Sequence, residues 1–255
     1  MLANTFLISF STLMIDGRPA PGSREFFAAL VRERIPFAIL TNQSQRTLQE
    51  LTDYLEGHGF RGIMPSMFYT TVMAAADEIL QMYPKKRMAG YLGGRGMREI
   101  LRLAGFSVDL DRADWLFVGL SPEISDMEYS YALRLIEQGA VIVETDARRL
   151  VRRKKEPYPG AGSIVRMLEY ASSTQAMHAD MPDTMLIRHA MQYINALSEQ
   201  TVLITSDLDR EVRSANTFGI RSIFVTAGMD DSFDMMEHDV HPTYVIETLE
   251  GLLRR

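Results

Sequence analysis

Short apolar runs alternate with amphipathic stretches along the whole chain. Apolar runs at residues 6–8, 37–40, 115–118, 141–143, 202–204 and 222–225 predict strands, and their lack of polar positions is typical of strands buried on both faces. Segments 25–32 and 126–138 repeat apolar residues at helical spacing and predict helices. This alternation predicts an α/β protein with a mostly parallel sheet.

Composition narrows the functional classes. The 255 residues are 46% hydrophobic, enough for one large domain or two modest ones. A net charge of -6 argues against a nucleic-acid or anionic-membrane binder, since both need a broad positive field. The absence of Cys excludes disulfides and thiolate sites. No apolar run approaches the roughly 20 residues of a membrane span, and no basic region precedes the first apolar segment, so we predict a soluble cytoplasmic protein.

Two local patterns have a structural and a functional interpretation. A basic cluster is either a solvated hairpin or loop, or a binding surface for an anionic ligand. Its members are Arg148, Arg149, Arg152, Arg153, Lys154 and Lys155. The glycines of segment 92–97 resemble part of the glycine-rich loop that binds dinucleotides, but the last glycine of that motif is missing. We interpret this segment as a tight strand-to-helix turn.

An ordered set of segments resembles the NagD-like phosphatases of the haloacid dehalogenase superfamily. Thr41-Asn42 follows a predicted strand, as in the second motif of that family, and Pro21-Gly22 precedes the first helix. Further segments in register are Phe68-Tyr69-Thr70-Thr71, Pro159-Gly160-Ala161-Gly162, Ser198 to Val202 and Phe218-Gly219-Ile220. No single segment is decisive, but together they cover essentially the whole chain.

The resemblance implies a haloacid-dehalogenase-like core with a doubly wound, Rossmann-like parallel sheet and an inserted α/β cap domain. The core would comprise residues 1–70 and 180–255, and the cap residues 71–179. The active site would lie at the carboxyl ends of the core strands, where the cap closes over it. Thr41, Asn42 and the main chain near Thr12 would then bind phosphate.

The acidic residues that perform the family's chemistry are missing at the matching positions. The first motif of the family supplies one Asp as nucleophile and another as general acid and base, and Ser9 and Ser11 stand in their places. The Lys of the third motif is replaced by Met181, and the principal metal-binding Asp by Ser206, while Glu211 keeps a later acid. We therefore expect little or no phosphatase activity of the family type.

The same losses leave Mg²⁺ with few ligands, since that ion prefers carboxylate and phosphate oxygens. A shift of one residue in the fourth motif would put Asp207 in the place of Ser206, so any Mg²⁺ site is expected to use Asp207, Asp209 and Glu211. His238 and His241 are followed by Pro242, and we interpret them as part of a polar loop rather than a zinc site.

Three hypotheses remain. The first, which we favour, is a catalytically silent homologue. It would use the position of the family's active site to bind a small phosphorylated ligand, or it would have a regulatory role. The second is an active phosphatase with altered machinery, in which Asp207 and Asp209 hold the metal and a water or Ser9 is the nucleophile. A variant of it has His178 acting with Asp207 or Asp209. The third is a structural or interaction protein, for example a homodimer formed through the cap, as relatives often are. Asp146, at a cap-loop position that often faces the site, is either a site residue or a turn residue.

Overall fold

The computed structural model describes residues 5–109, 111–121, 123–153, 155–229, 235 and 238–253. The chain forms two compact units. The first unit comprises Met1–Thr41, Gln49–Tyr69 and Ile187–Arg255, and the second comprises Asn42–Leu48 and Thr70–Leu186. This division differs from the predicted domain bounds at residues 42–48, 70 and 180–186, which the prediction assigns to the core and which group with the second unit.

The regular elements alternate along the chain. The described strands are β1 (Thr5–Ser9), β2 (Met14–Ile15), β3 (Arg18–Pro19), β4 (Phe37–Thr41), β5 (Phe68–Thr70), β6 (Met88–Leu92), β7 (Ser107–Val108), β8 (Trp115–Val118), β9 (Val141–Glu144), β10 (Leu150–Arg153), β11 (Glu156–Pro159), β12 (Met177–His178), β13 (Thr201–Thr205), β14 (Arg221–Val225) and β15 (Tyr244–Ile246). The described α-helices are α1 (Phe10–Leu13), α2 (Ser23–Glu33), α3 (Leu48–Gly57), α4 (Thr71–Met82), α5 (Arg95–Leu103), α6 (Asp126–Glu137), α7 (Ala161–Ser172), α8 (Met185–Tyr193) and α9 (Arg213–Phe218). Short 3₁₀ turns lie at Pro65–Met67, Ser198–Gln200 and Leu249–Leu252, and a π-helical turn lies at Leu208–Val212.

The first unit is built on a sheet with strand order β15-β14-β13-β1-β4-β5. β1 pairs in parallel with β13 on one side and with β4 on the other. Leu7 and Ile8 in β1 are fully buried, which confirms a strand covered on both faces. Because neighbouring parallel strands end at the same edge, the polar residues that end β1, β4 and β13 lie side by side.

One helix shows how the apolar pattern forms the first core. In α2, Phe26, Phe27 and Leu30 are buried, as their helical spacing predicts. The ring of Phe27 meets those of Phe37 and Phe60 edge to face, with centroids 5.6 Å away in both cases. Such aromatic pairs add to the stabilisation from burial alone, and they hold α2 against the sheet.

The second unit has its own parallel sheet, with strand order β12-β9-β8-β6-β7. Its core includes Leu116, Val118, Leu135, Ile142 and Leu168. The helix α6 begins at a capping box in which Ser125 and Glu128 bind each other's backbone N–H. β10 and β11 form an antiparallel hairpin, the basic hairpin, which includes Arg152 and Arg153, while Arg148 and Arg149 directly precede it. Lys154 lies outside the described residues.

The glycines of segment 92–97 allow two backbones to approach closely. Gly94 is the N-cap of α5, and the N–H of Met97 donates to the carbonyl oxygen of Ser44 over 2.9 Å. A Cβ on Gly96 would lie 1.8 Å from the carbonyl oxygen of Arg46, and one on Gly94 would lie 2.3 Å from Cα of Gln45. These glycines make room for residues 44–46, in keeping with a tight turn.

Within the described ranges, none of the helices combines the length and the apolar character that crossing a bilayer demands.

The contact at Gly96 yields a stability prediction. Gly96→Ala should lower the free energy of unfolding by about 1–3 kcal/mol, because the added methyl group collides with backbone rather than with a flexible side chain. Gly57→Ala in α3 is the matched control, since a Cβ there meets no atom within 4 Å, and it should leave stability unchanged or raise it by up to about 1 kcal/mol. Urea denaturation measures both, and equal stabilities would contradict the proposed contact.

Candidate functional site

Four polar side chains at the carboxyl ends of β1 and β13 form one hydrogen-bonded group. We call this group, Ser9, Ser11, Thr205 and Glu211, the hydroxyl cluster. The Oγ atoms of Ser9 and Ser11 lie 2.9 Å apart, and the Ser9 hydroxyl donates to Oε1 of Glu211 over 3.0 Å. The Thr205 hydroxyl donates to Oε2 of Glu211 over 2.5 Å. Both carboxyl oxygens of Glu211 therefore accept a hydroxyl proton from a neighbouring strand end.

The π-helical turn after β13 brings Glu211 to this position. Asp207 precedes the turn and accepts the N–H of Arg210 over 2.9 Å, while its own N–H donates to Oγ1 of Thr205. Leu208 and Val212 are buried against Phe224. The wider π-helical turn is a local feature that often marks functional sites, and it aims Glu211 back at the end of β1.

The carboxyl group of Glu211 has an altered proton affinity. Burial, and after it the negative charge of Asp207, raise the pKa of Glu211 from 4.5 to about 7. Hydrogen bonds from Thr205 and Ser9 and the charge of Arg210 act in the opposite direction. Near neutral pH, Glu211 is thus divided between its neutral and charged forms.

The remaining predicted residues of the first unit divide into two groups. Thr12 is buried, and its hydroxyl lies 3.5 Å from Oγ of Ser206, so these two residues meet beside the hydroxyl cluster. Thr41 ends β4 at the same edge of the sheet. Asp209, in contrast, is exposed and pairs with Nδ1 of His238 at 3.0 Å. Its carboxylate is directed toward that histidine and not toward Ser9.

In the second unit, Asn42 belongs to a buried network centred on Asp180. The amide nitrogen of Asn42 donates to Oδ2 of Asp180 over 3.0 Å and approaches Oδ1 of Asp146 at 3.5 Å. The backbone N–H groups of Ala147 and Met181 also donate to Asp180, each over 2.9 Å. Asn42, predicted to bind phosphate, therefore uses its amide to satisfy buried carboxylates. The side chain of Met181 is 2% exposed.

Sequence reasoning missed the role of Asp180, although a signal was available. The matching family motif reads Gly-Lys-Pro, so Asp180-Met181-Pro182 shows an acid gained as well as a Lys lost. Asp146, the predicted cap-loop residue, is fully buried and accepts from the guanidinium of Arg148, with Nε–Oδ1 at 2.8 Å. A buried carboxylate needs such partners, which supports the turn-residue interpretation of Asp146.

A cavity of about 590 Å³ in the second unit lies against the basic hairpin, and we call it the basic pocket. Arg148, Arg152 and Arg153 line it together with Gln45 and Leu120. Arg153 is held in place, because it donates to the carbonyl oxygen of Ser121 over 2.7 Å and its guanidinium lies 4.9 Å from the ring centroid of Tyr158. An ordered guanidinium binds carboxylate or phosphate oxygens with two parallel hydrogen bonds.

Comparisons with known proteins agree with this architecture. The family model for haloacid dehalogenase-like hydrolases matches residues 10–107, and a second one, HAD-hydrolase-like, matches residues 180–252. The chain belongs to the haloacid dehalogenase superfamily. Within it the chain is of the NagD-like type, as the resemblance in the sequence predicted.

Similar proteins include several phosphatases. The chain is 26% identical over 240 residues to a dihydroxyacetone phosphatase of Corynebacterium glutamicum, covering 94% of this chain and 86% of that one. It is 26% identical over 239 residues to the ribonucleotide monophosphatase NagD of Escherichia coli, covering 91% of each. A 4-nitrophenylphosphatase structure from Thermotoga maritima superposes with a TM-score of 0.89 at 21% identity, covering 99% of this chain and 97% of that one. The predicted α/β fold is confirmed.

The haloacid dehalogenase phosphatases generally use Mg²⁺, but the residues of this chain do not fit such a site. Ser9 and Ser206 offer neutral hydroxyls where the resemblance led us to expect carboxylates, and both oxygens of Glu211 already accept hydrogen bonds. In the part of the chain that is described, no group of three or more Asp, Glu or His side chains is placed to hold a metal ion. Mg²⁺ requires hard oxygen ligands in near-octahedral geometry, and this donor set does not supply them.

The raised pKa of Glu211 predicts a pH-dependent stability. Because the folded state binds this proton more tightly, its stabilising contribution is complete below about pH 4.5 and is lost as pH rises through about 7. Glu211→Gln removes that dependence, so at pH 8 it should be more stable than the native protein by up to about 3 kcal/mol, with little difference at pH 4.5.

Urea denaturation at the two pH values measures this effect. Glu56→Gln removes an exposed carboxylate from α3 and serves as the control. The same stability difference for Glu211→Gln at both pH values would show that burial does not alter the proton affinity of this carboxyl group.

Proposed function

We propose that this chain is a phosphatase homologue that binds a small phosphorylated metabolite and does not hydrolyse it at the rates of its family. The observation that carries the proposal is the hydroxyl cluster. The resemblance assigns Ser9 and Ser11 to the positions of the nucleophile and of the general acid and base; their hydroxyls are hydrogen-bonded to each other, and that of Ser9 also donates to Glu211.

The chemistry of these residues supports slow or absent turnover. A serine attacking phosphorus forms a phosphoserine, which lacks the good leaving group of an aspartyl-phosphate. Hydrolysis of that ester needs an acid–base group, and the hydroxyl of Ser11 has no carboxyl proton to exchange. Phosphoryl transfer also relies on neutralising charge at the phosphoryl oxygens, and Met181 replaces the Lys that serves this purpose in the family.

The basic pocket supports an anionic ligand. Arg148, Arg152 and Arg153 line a cavity whose volume suits a small metabolite, and of these Arg148 already binds Asp146, which leaves Arg152 and Arg153 to contact an anion. The similar proteins are named as phosphatases of dihydroxyacetone and of ribonucleotides, so phosphorylated sugars and nucleotides are the first ligands to try. Binding at this pocket needs no Mg²⁺.

One observation favours a second candidate, a hydrolase with altered machinery. The Ser9 hydroxyl donates to a carboxyl group with a pKa of about 7, and an adjacent base is what a serine nucleophile requires. In that case turnover would not depend on Mg²⁺ and would be lost in Glu211→Gln.

An activity assay separates the two candidates. The native protein, with and without Mg²⁺, should show no turnover above background on p-nitrophenyl phosphate, sugar phosphates or nucleotides. Turnover that persists with EDTA and is lost in both Ser9→Ala and Glu211→Gln would establish the altered hydrolase, while Mg²⁺-dependent turnover would contradict both candidates.

Ligand binding is tested separately, by thermal denaturation and calorimetry against the same panel of phosphorylated compounds without Mg²⁺. At least one compound should raise the melting temperature. Arg152→Ala should weaken its binding by about tenfold or more, as expected for a lost charge-assisted hydrogen bond. Lys85→Ala, which removes an exposed positive charge from the same unit, should leave affinity unchanged. Stabilisation by no compound in the panel would remove the support for a ligand-binding role.

A further inference from the structure

A second cavity, of about 670 Å³, lies in the second unit at the carboxyl ends of the adjacent strands β9 and β12, and we call it the histidine pocket. The side chains that matter here are Glu144, Arg149, Ser163, Arg166, His178 and Asp183. It shares no lining residue with the basic pocket. Even the neighbouring residues Arg148 and Arg149 line different cavities, Arg148 the basic pocket and Arg149 the histidine pocket. In open parallel sheets, the carboxyl ends of the strands are where ligands bind.

A histidine–carboxylate pair forms part of the wall. His178 ends β12 and is the register partner of Glu144, which ends β9. Nδ1 of His178 lies 2.5 Å from Oε2 of Glu144, and Glu144 is 4% exposed whereas the histidine side chain is 39% exposed. This bond fixes the orientation of the ring. Nε2 contacts no hydrogen-bond partner among the described residues and is the ring nitrogen left for a ligand.

The charges of the other lining residues are unequally compensated. Asp180 accepts three N–H donors, and Asp183 accepts the backbone N–H of Met185 over 2.8 Å. Arg166 pairs with Glu169 on α7. Arg149 is exposed, and its guanidinium makes no ion pair with any described residue. Of the two arginines that line this pocket, Arg149 is therefore the one whose guanidinium is not already bound by a carboxylate of the described residues.

We infer that the histidine pocket is a binding site for a small metabolite with an oxyanion group, which Arg149 holds while Nε2 of His178 hydrogen-bonds the same molecule. A guanidinium suits carboxylate and phosphate equally, since both present two oxygens to its planar donors. The cavity volume lies within the range of small-molecule sites. This site is separate from the one in the proposed function and does not depend on it.

The test uses the full-length protein labelled with ¹⁵N-histidine, without Mg²⁺. Malonate is titrated in one series and inorganic phosphate in another, while NMR follows the imidazole nitrogens. The chain has five His, so His178→Gln assigns the resonances of His178 by their loss. We expect a saturable shift of Nε2 of His178 with at least one anion, and the anion that produces it identifies the oxyanion as carboxylate or phosphate.

Two variants place the binding. Arg149→Ala should weaken the affinity read at His178 by about tenfold or more, and because Arg149 is exposed this variant is expected to keep the native stability. Arg152→Ala, in the basic pocket, is the control and should leave that affinity unchanged.

The absence of a saturable shift at His178 with both anions would overturn the inference. So would a shift that is unchanged in Arg149→Ala. Neither result bears on the proposed function, which is measured with phosphorylated compounds and with Arg152→Ala.

Discussion

The carboxyl group of Glu211 is held by hydroxyls from two adjacent strands of the first sheet, and the chemistry of the hydroxyl cluster depends on this arrangement. A buried carboxylate needs a cation, a metal ion or hydrogen-bond donors. Ser9 and Thr205 provide donors, one to each oxygen. The raised pKa of Glu211 shows that two hydroxyls do not fully replace the water lost on burial. Glu211 by itself is also too small a donor set for Mg²⁺, which takes several hard oxygen ligands.

The other replacements agree with this arrangement. The resemblance implies that Ser9 and Ser11 stand where the family has aspartates, and a buried Lys without an anionic partner is costly, so an apolar Met181 at the position of the family's Lys is consistent with that replacement. The neighbouring Asp180 gives the segment a different role, because it accepts the amide of Asn42 and two backbone N–H groups. Asp180 thus has a structural role in this chain.

Local apolar patterns in the sequence predicted the strands and the two helices. The order of the motifs singled out Ser9 and Ser11. The sequence could not predict that Glu211 meets Ser9, since that depends on a π-helical turn for which the residues show no separate pattern. Arg148 and Arg149 appeared as one basic cluster, and only the fold shows that they line different cavities. The pairing of Glu144 with His178 depends on strand register across 34 positions of sequence, which no local pattern determines.

The close approach of α5 to residues 44–46 bears on how this protein can be divided. The second unit is not continuous in sequence. It includes Asn42–Leu48, which is separated from the rest of the unit by Gln49–Tyr69 of the first unit. In the segment 42–48, the carbonyl oxygen of Ser44 accepts the N–H of Met97, and the backbone of Arg46 occupies the space that a side chain at Gly96 would take. A fragment cut at residue 70 would lack the backbone that covers the start of α5, so a soluble second unit made on its own would have to carry residues 42–48 through a linker or a circular permutation.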